Sequence, residues 1–152
     1  MISPGFLLKE QEQLTTLFNR KAMSYSINKI LKGKSFDEAT EQVTAELKKE
    51  GFGVLTEIDI KETLKKKLDV DFRKYKILGA CNPQFAYKAL QSEEKIGVFL
   101  PCNVVVQEHA NGEIEVSAVD PIASMGSVKN TDLEGIAKEV QQKLTRAISN
   151  LN

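Results

Sequence analysis

The C-terminal end of this chain constrains its fold most. Leu133, Ile136, Ala137, Val140, Leu144, Ala147, Ile148 and Leu151 recur at three- and four-residue spacing, the period of a single helix face. Thr131-Asp132-Leu133-Glu134 precedes the stripe as a capping box. A helix this long, apolar on one side only, must lay that side on another layer. A second stripe, Phe36, Ala39, Val43 and Leu47, is opened by the capping box Ser35-Phe36-Asp37-Glu38 and stopped at Gly51, a residue suited to the left-handed position after a helix.

The partner layer is a sheet. Residues 22–31 alternate, with Met23, Tyr25 and Ile27 on one side and Ser24, Ser26 and Asn28 on the other. Phe52 to Ile60, Tyr75 to Cys81, residues 96–109 and residues 113–119 read as further strands. Pro101 interrupts the fourth and suggests an edge position or a bulge, because proline donates no ladder hydrogen bond. Asp59 and Glu62 open a short helix carrying Leu64 and Leu68, with Lys65, Lys66 and Lys67 on a solvated face. Asn82-Pro83 starts another, an asparagine cap before a proline at the first turn, with Phe85, Ala86, Ala89 and Leu90 as its apolar side. Residues 5–19 carry a weaker amphipathic pattern. The expected architecture is α+β: a two-layer sandwich, a mainly antiparallel sheet of four to five strands with two long helices on one face. Residues 1–21 are expected to form a helical extension to a single domain at 22–152.

Composition excludes several classes. The chain has 152 residues, 41% of them hydrophobic and 28% charged, which suits a folded core and not wholesale disorder. Twenty-one basic residues balance 21 acidic ones, so no net field draws nucleic acid or an anionic membrane. No apolar run approaches the roughly 20 residues of a membrane span. The first ten residues lack a basic start followed by an apolar run, so cytoplasmic residence is expected, with Cys81 and Cys102 as free thiols. No CxxC, GxGxxG, P-loop or HExxH is present, which leaves four-ligand zinc, nucleotide and zinc-protease chemistry without a motif.

Asn111-Gly112 signals a hairpin. A two-residue turn sets Asn103 opposite Asp120 and Glu108 opposite Glu115. A one-residue slip instead groups Val104 and Val106 with Ile114, Val116 and Ala118. Both registers bring Asp120 near the start of the Cys102-Asn103 strand.

Two segments echo each other, Gly79-Ala80-Cys81-Asn82-Pro83 and Leu100-Pro101-Cys102-Asn103. Each sets a thiol beside an amide at a strand end or irregularity. Cys81 precedes a helix start, where exposed N–H groups favour a thiolate. Such a thiolate can serve as nucleophile, redox centre or soft-metal ligand. The alternative is that both cysteines pack as small hydrophobes. His109 is the sole histidine and the obvious general base, but it sits beside the hairpin turn, away from Cys81. Asp120-Pro121 reads as a turn cap or a ligand-site residue.

These segments, with Gly53–Ile60, Ile77–Pro83, Ile96–Val106 and Asp120-Pro121, resemble the domain of unknown function 302 family over Tyr25 to Leu151. The resemblance implies a fold similar to the TATA-binding-protein class, with helices on a curved antiparallel sheet. It also implies a homodimer and a shared site at Cys81, Asn82, Pro83, Pro101, Cys102, Asn103 and Asp120. It implies no activity and does not import DNA binding.

Three functions follow. The first is a module binding a small ligand, or a soft metal ion held by Cys81 and Cys102. The second is a thiol enzyme or redox sensor with Cys81 as thiolate and Cys102 as resolving thiol. The third is a structural or partner-binding dimeric domain in which the cysteines pack and the N-terminal helix is the contact element.

Overall fold

The computed structural model describes residues 5, 9–11 and 25–152. Most of the helix expected at 5–19, and the first part of the strand expected at 22–31, lie outside the described residues.

Chain order is β1 (Ser26–Leu31), α1 (Phe36–Lys49), β2 (Gly53–Asp59), α2 (Ile60–Leu68), β3 (Tyr75–Cys81), α3 (Pro83–Ser92), a 3₁₀ turn (Ile96–Phe99), β4 (Cys102–Glu108), β5 (Ile114–Val119), α4 (Pro121–Ser124) and α5 (Thr131–Ser149). The five strands form one antiparallel sheet in the order β1-β5-β4-β3-β2. This is an α+β architecture in which α1 and α5 bury their stripes on the sheet.

The core follows from the two periodicities. On α5, Leu133, Ala137, Val140, Leu144, Ala147 and Ile148 are buried, and on α1, Phe36, Ala39, Val43 and Leu47. They meet Val104, Val106, Ile114, Val116 and Ala118, each fully enclosed. At about 1.5–3 kcal/mol per buried aliphatic side chain, this contact dominates the driving force for the fold. Ser35 and Glu38 complete the expected capping box, and Gly51 takes φ +86°.

The β4–β5 register is the slipped one: Val104 faces Ala118, Val106 faces Val116 and Glu108 faces Ile114. The hairpin closes between His109 N and Glu113 O (2.8 Å), with Gly112 at φ +84°. The loop is therefore one residue longer than a two-residue turn. The longer loop sets every enclosed side chain on the helix-covered face and relieves the Glu108–Glu115 clash.

Four expectations need correction. Residues 96–99 turn instead of extending, and β4 begins only at Cys102. β4 lies inside the sheet, and the strand irregularity is on β2 between Val54 and Thr56. Pro101 is tolerated because it stands just before the strand, where the ladder needs no donor. The cap of α5 is Asn130, whose side chain accepts from Asp132 N and Leu133 N, and not Thr131. Leu90 is 45% exposed, so the apolar side of α3 reduces to Phe85, Ala86 and Ala89.

Candidate functional site

β3 ends at Cys81, and α3 starts two residues later at Pro83. On the neighbouring strand Cys102 is the first residue of β4, with Ala80 directly opposite it. Strand pairing thus brings the two echoing segments side by side. Between them and the helices lies a narrow slot of about 30 Å³, walled by Phe52, Phe85, Ala89, Leu100, Pro101, Met125, Ala137 and Val140, with Cys81, Asn82 and Cys102. Among the described residues no charged side chain lines it.

Both cysteines are free. Cys102 is buried, and its thiol pKa is pushed up to about 11, first by loss of water and then by the neighbouring Cys81. Burial disfavours a charged sulfur. Cys102 is therefore a neutral thiol at physiological pH. Cys81 is half-buried, at the edge of the slot.

Asn82 stands at the cap position of α3 but makes no cap hydrogen bond. Its amide donates to the carbonyl of Glu50 across 3.2 Å. The expected capping role goes unused because the side chain is drawn to the turn ending α1.

Four of the seven sequence candidates, Cys81, Asn82, Pro101 and Cys102, line the slot. Pro83 is exposed on the first turn of α3. Asp120 caps α4, its Oδ1 accepting from Ile122 N (2.9 Å) and its Oδ2 from Gln141 Nε2 (3.0 Å). Its neighbour Pro121 reaches the slot. Asn103 points to the other side of the sheet, into a groove with Val105 and Gln107. The alternation of β4 requires this, since Cys102 and Val104 face the core. His109 lies at the far end of β4, with Nε2 3.1 Å from Glu115 Oε1.

Sequence reasoning did not single out Phe52, Met125, Ala137 or Val140 as slot walls. Ala89 and Ala137 leave space where larger side chains would fill it, and an alanine in a helical stripe looks like any core position. Among the described residues no group of three or more His, Cys, Asp or Glu is placed to hold a metal ion. Nor is any helix among them long and apolar enough to cross a membrane.

Comparison with known proteins fits this architecture. No curated protein matches the chain. The crystal structure of an uncharacterized conserved protein DUF302 from Bacillus stearothermophilus superposes with a TM-score of 0.76 at 30% identity, covering 82% of this chain and 96% of that one. The family described as Domain of unknown function DUF302 matches residues 27–151. With that match spanning the sheet, both long helices and the slot between them, the chain belongs to the DUF302 family.

Proposed function

We propose that this domain binds a compact, uncharged, apolar molecule, or the apolar end of a longer one, in the slot between Cys81 and Cys102. The observation that carries the reading is the lining: two thiols, one amide and otherwise hydrocarbon, with no formal charge. Such a lining favours shape and dispersion over ion pairing. Asn82 and the Cys81 thiol are the polar groups at hand to orient a ligand.

The neutral Cys102 thiol weighs against a resolving thiolate, which needs deprotonated sulfur. No base among the described residues lines the slot beside Cys81 to support nucleophilic catalysis, and His109 is engaged by Glu115 beyond the opposite end of β4. A homodimer, in which each protomer carries one slot, is compatible with this reading.

The test uses xenon and krypton as probes, followed by amide shifts and by the rate of Cys81 alkylation with iodoacetamide. Saturable shifts at Ala89, Ala137 and Cys102, with slowed alkylation, are expected. Ala137→Phe should fill the slot and abolish both effects while the fold persists. If neither probe shifts these residues, the apolar-ligand reading fails. If reduced protein retains Cu(I) through desalting and Cys81→Ser loses it, the metal reading replaces it.

A further inference from the structure

The candidate that leaves the slot, Asn103, lies in a second hollow with a different chemistry. The face of β1, β5, β4 and β3 opposite the core forms an open groove of about 400 Å³. Eleven described residues line it, and among them only Glu115 carries a charge, its carboxylate held 3.1 Å from His109 Nε2. Seven others are neutral hydrogen-bonding side chains: one glutamine and pairs of tyrosines, serines and asparagines. In a chain that is 28% charged, a solvated sheet face with a single engaged carboxylate is unusual.

Several of these groups stand ready. Among the described residues, the Asn103 amide and the hydroxyls of Ser117 and Tyr75 have no hydrogen-bond partner. Arg73 sets its guanidinium 5.6 Å from the Tyr75 ring, and its Nε donates to Gln107 Oε1 across 3.0 Å. That contact braces Tyr75 and leaves the Gln107 amide hydrogens for another acceptor. Tyr25, 65% exposed, marks the other end of the groove.

We propose that this face binds a neutral saccharide. Sugar hydroxyls both donate and accept, matching amides and hydroxyls, while the apolar face of a pyranose ring suits tyrosine and the half-buried Val105 and Val119. From β1 to β3 the groove crosses three strand spacings, roughly 14 Å, the reach of about two to three pyranose rings. None of the described lining residues is a lysine or arginine, and Arg73, which reaches Tyr75 and Gln107 at one end, is too little positive charge to hold an anionic chain such as nucleic acid. A second copy of the chain would present the same hollow, and two hollows do not fill one another.

The test titrates the full chain with tetrasaccharides of α-1,4-glucose, β-1,4-glucose, β-1,4-N-acetylglucosamine and mannose, followed by amide shifts. Saturable shifts at outward positions of β1, β3, β4 and β5 are expected with at least one of them at millimolar concentration. Loss of one hydrogen-bonding group in Asn103→Ala should weaken that binding about five- to tenfold. Tyr75→Ala should weaken it at least as much, and Ala137→Phe, inside the apolar slot, should leave it unchanged. Both groove positions lie on the open face, and unchanged spectra elsewhere verify the fold. Absence of saturable shifts with all four sugars overturns the proposal. So does binding that survives both groove variants, or sugar-independent broadening of the same residues with a dimer's mass in sedimentation, which would assign the face to a second copy.

Discussion

Asn82 Nδ2 donates to the main-chain carbonyl of Glu50, so the residue that opens α3 also fixes the turn that ends α1. The same amide sits where a side chain on Gly51 would meet it at 3.0 Å, which adds a close approach to the positive φ already requiring glycine there. One asparagine therefore ties the edge of the slot to the α1–β2 corner. Asn82→Ala should lose about 1 kcal/mol of stability, the usual net value of such a bond. Asn82→Ser separates bridge from cap, because serine is an excellent cap but too short to reach Glu50. Denaturant midpoints should place the serine variant above alanine by about 1 kcal/mol, the value of a helix cap. An alanine variant as stable as the parent would show that the bridge contributes nothing.

The side chain of Glu50 makes a second tie. Arg146 Nε and its terminal nitrogen reach the carboxylate at 2.9 and 3.2 Å, linking the end of α1 to the last turn of α5. The hydrogen bond from Arg146 holds the Glu50 pKa below its ordinary 4.5, with partial burial opposing and the guanidinium charge helping. A carboxylate with a depressed folded pKa adds stability above its unfolded pKa and loses it as pH falls through the folded value. The stability gap between the parent and Glu50→Gln should therefore be open near pH 7 and close progressively below about 4.5. Arg146 is half-exposed, so salt should narrow the gap at neutral pH. A gap that widens on acidification would contradict the tie.

The two thiols should separate cleanly in reactivity. Cys102 is 7% exposed and its pKa is raised to about 11, whereas Cys81 lies half-buried at the slot's edge. Iodoacetamide at neutral pH should label the native protein once, at Cys81, and label Cys102 only after unfolding. Peptide mapping decides this. Native labelling of Cys102 at a rate close to Cys81 would mean that the slot opens and wets far more readily than its hydrocarbon walls suggest.

The sequence made the two helical stripes and most strand positions legible, because each rests on a strong period or on an unmistakable stop such as Gly51. The hairpin register was legible only as a choice. Asn111-Gly112 points to a two-residue turn, while Val104, Val106, Ile114, Val116 and Ala118 demand the slip, and burial of five aliphatic side chains outweighs one turn preference. The echo between the two Cys-Asn pairs read as one site; Cys81, Asn82 and Cys102 share the slot, and Asn103 alone leaves it. In β4 the thiol and amide are consecutive strand residues and must face opposite ways, whereas in β3 the strand ends at the thiol and the amide turns the corner with it. The slot walls were not legible, since a cavity is made by what neighbouring helices fail to fill.

Gly79 should be intolerant of any side chain. A Cβ there would collide with Thr56 Oγ1 on β2 and lie 2.9 Å from Pro101 Cγ, with the Thr56 Cβ at 3.5 Å. The glycine lets Pro101 settle over β3 just before Cys102 enters the slot. Gly79→Ala should cost about 1–3 kcal/mol, the range for overpacking an ordered site. Removing the hydroxyl with Thr56→Ala in the same chain should recover part of the loss, because Pro101 still crowds the position. Thermal midpoints of the two single variants and the double variant measure this coupling directly, and simple additivity would show that the contact is relieved by some other movement.

The last prediction sets two adjacent residues against each other. Thr131 and Glu134 have the spacing of a capping box, but the oxygen accepting from Asp132 N (3.1 Å) and Leu133 N (3.3 Å) is Oδ1 of Asn130. The amide of Asn130 also donates to the carbonyl of Ser92, and the Ser92 hydroxyl reaches Oδ1, both at 3.1 Å. Asn130 therefore caps α5 and locks the end of α3 against it, and Leu133 and Ala137 pack beside that joint. Asn130→Ala should destabilise by about 1–2 kcal/mol, the upper part of the range for a lost cap, because the tie to Ser92 goes with it. Thr131→Ala should change stability by no more than about 0.5 kcal/mol, as a surface substitution at the first helical position. Ser92→Ala should cost less than Asn130→Ala, and the double variant should cost less than the sum, since one hydrogen bond is removed by either change. Equal losses at Asn130 and Thr131 would return the cap to threonine and release α3 from the end of α5.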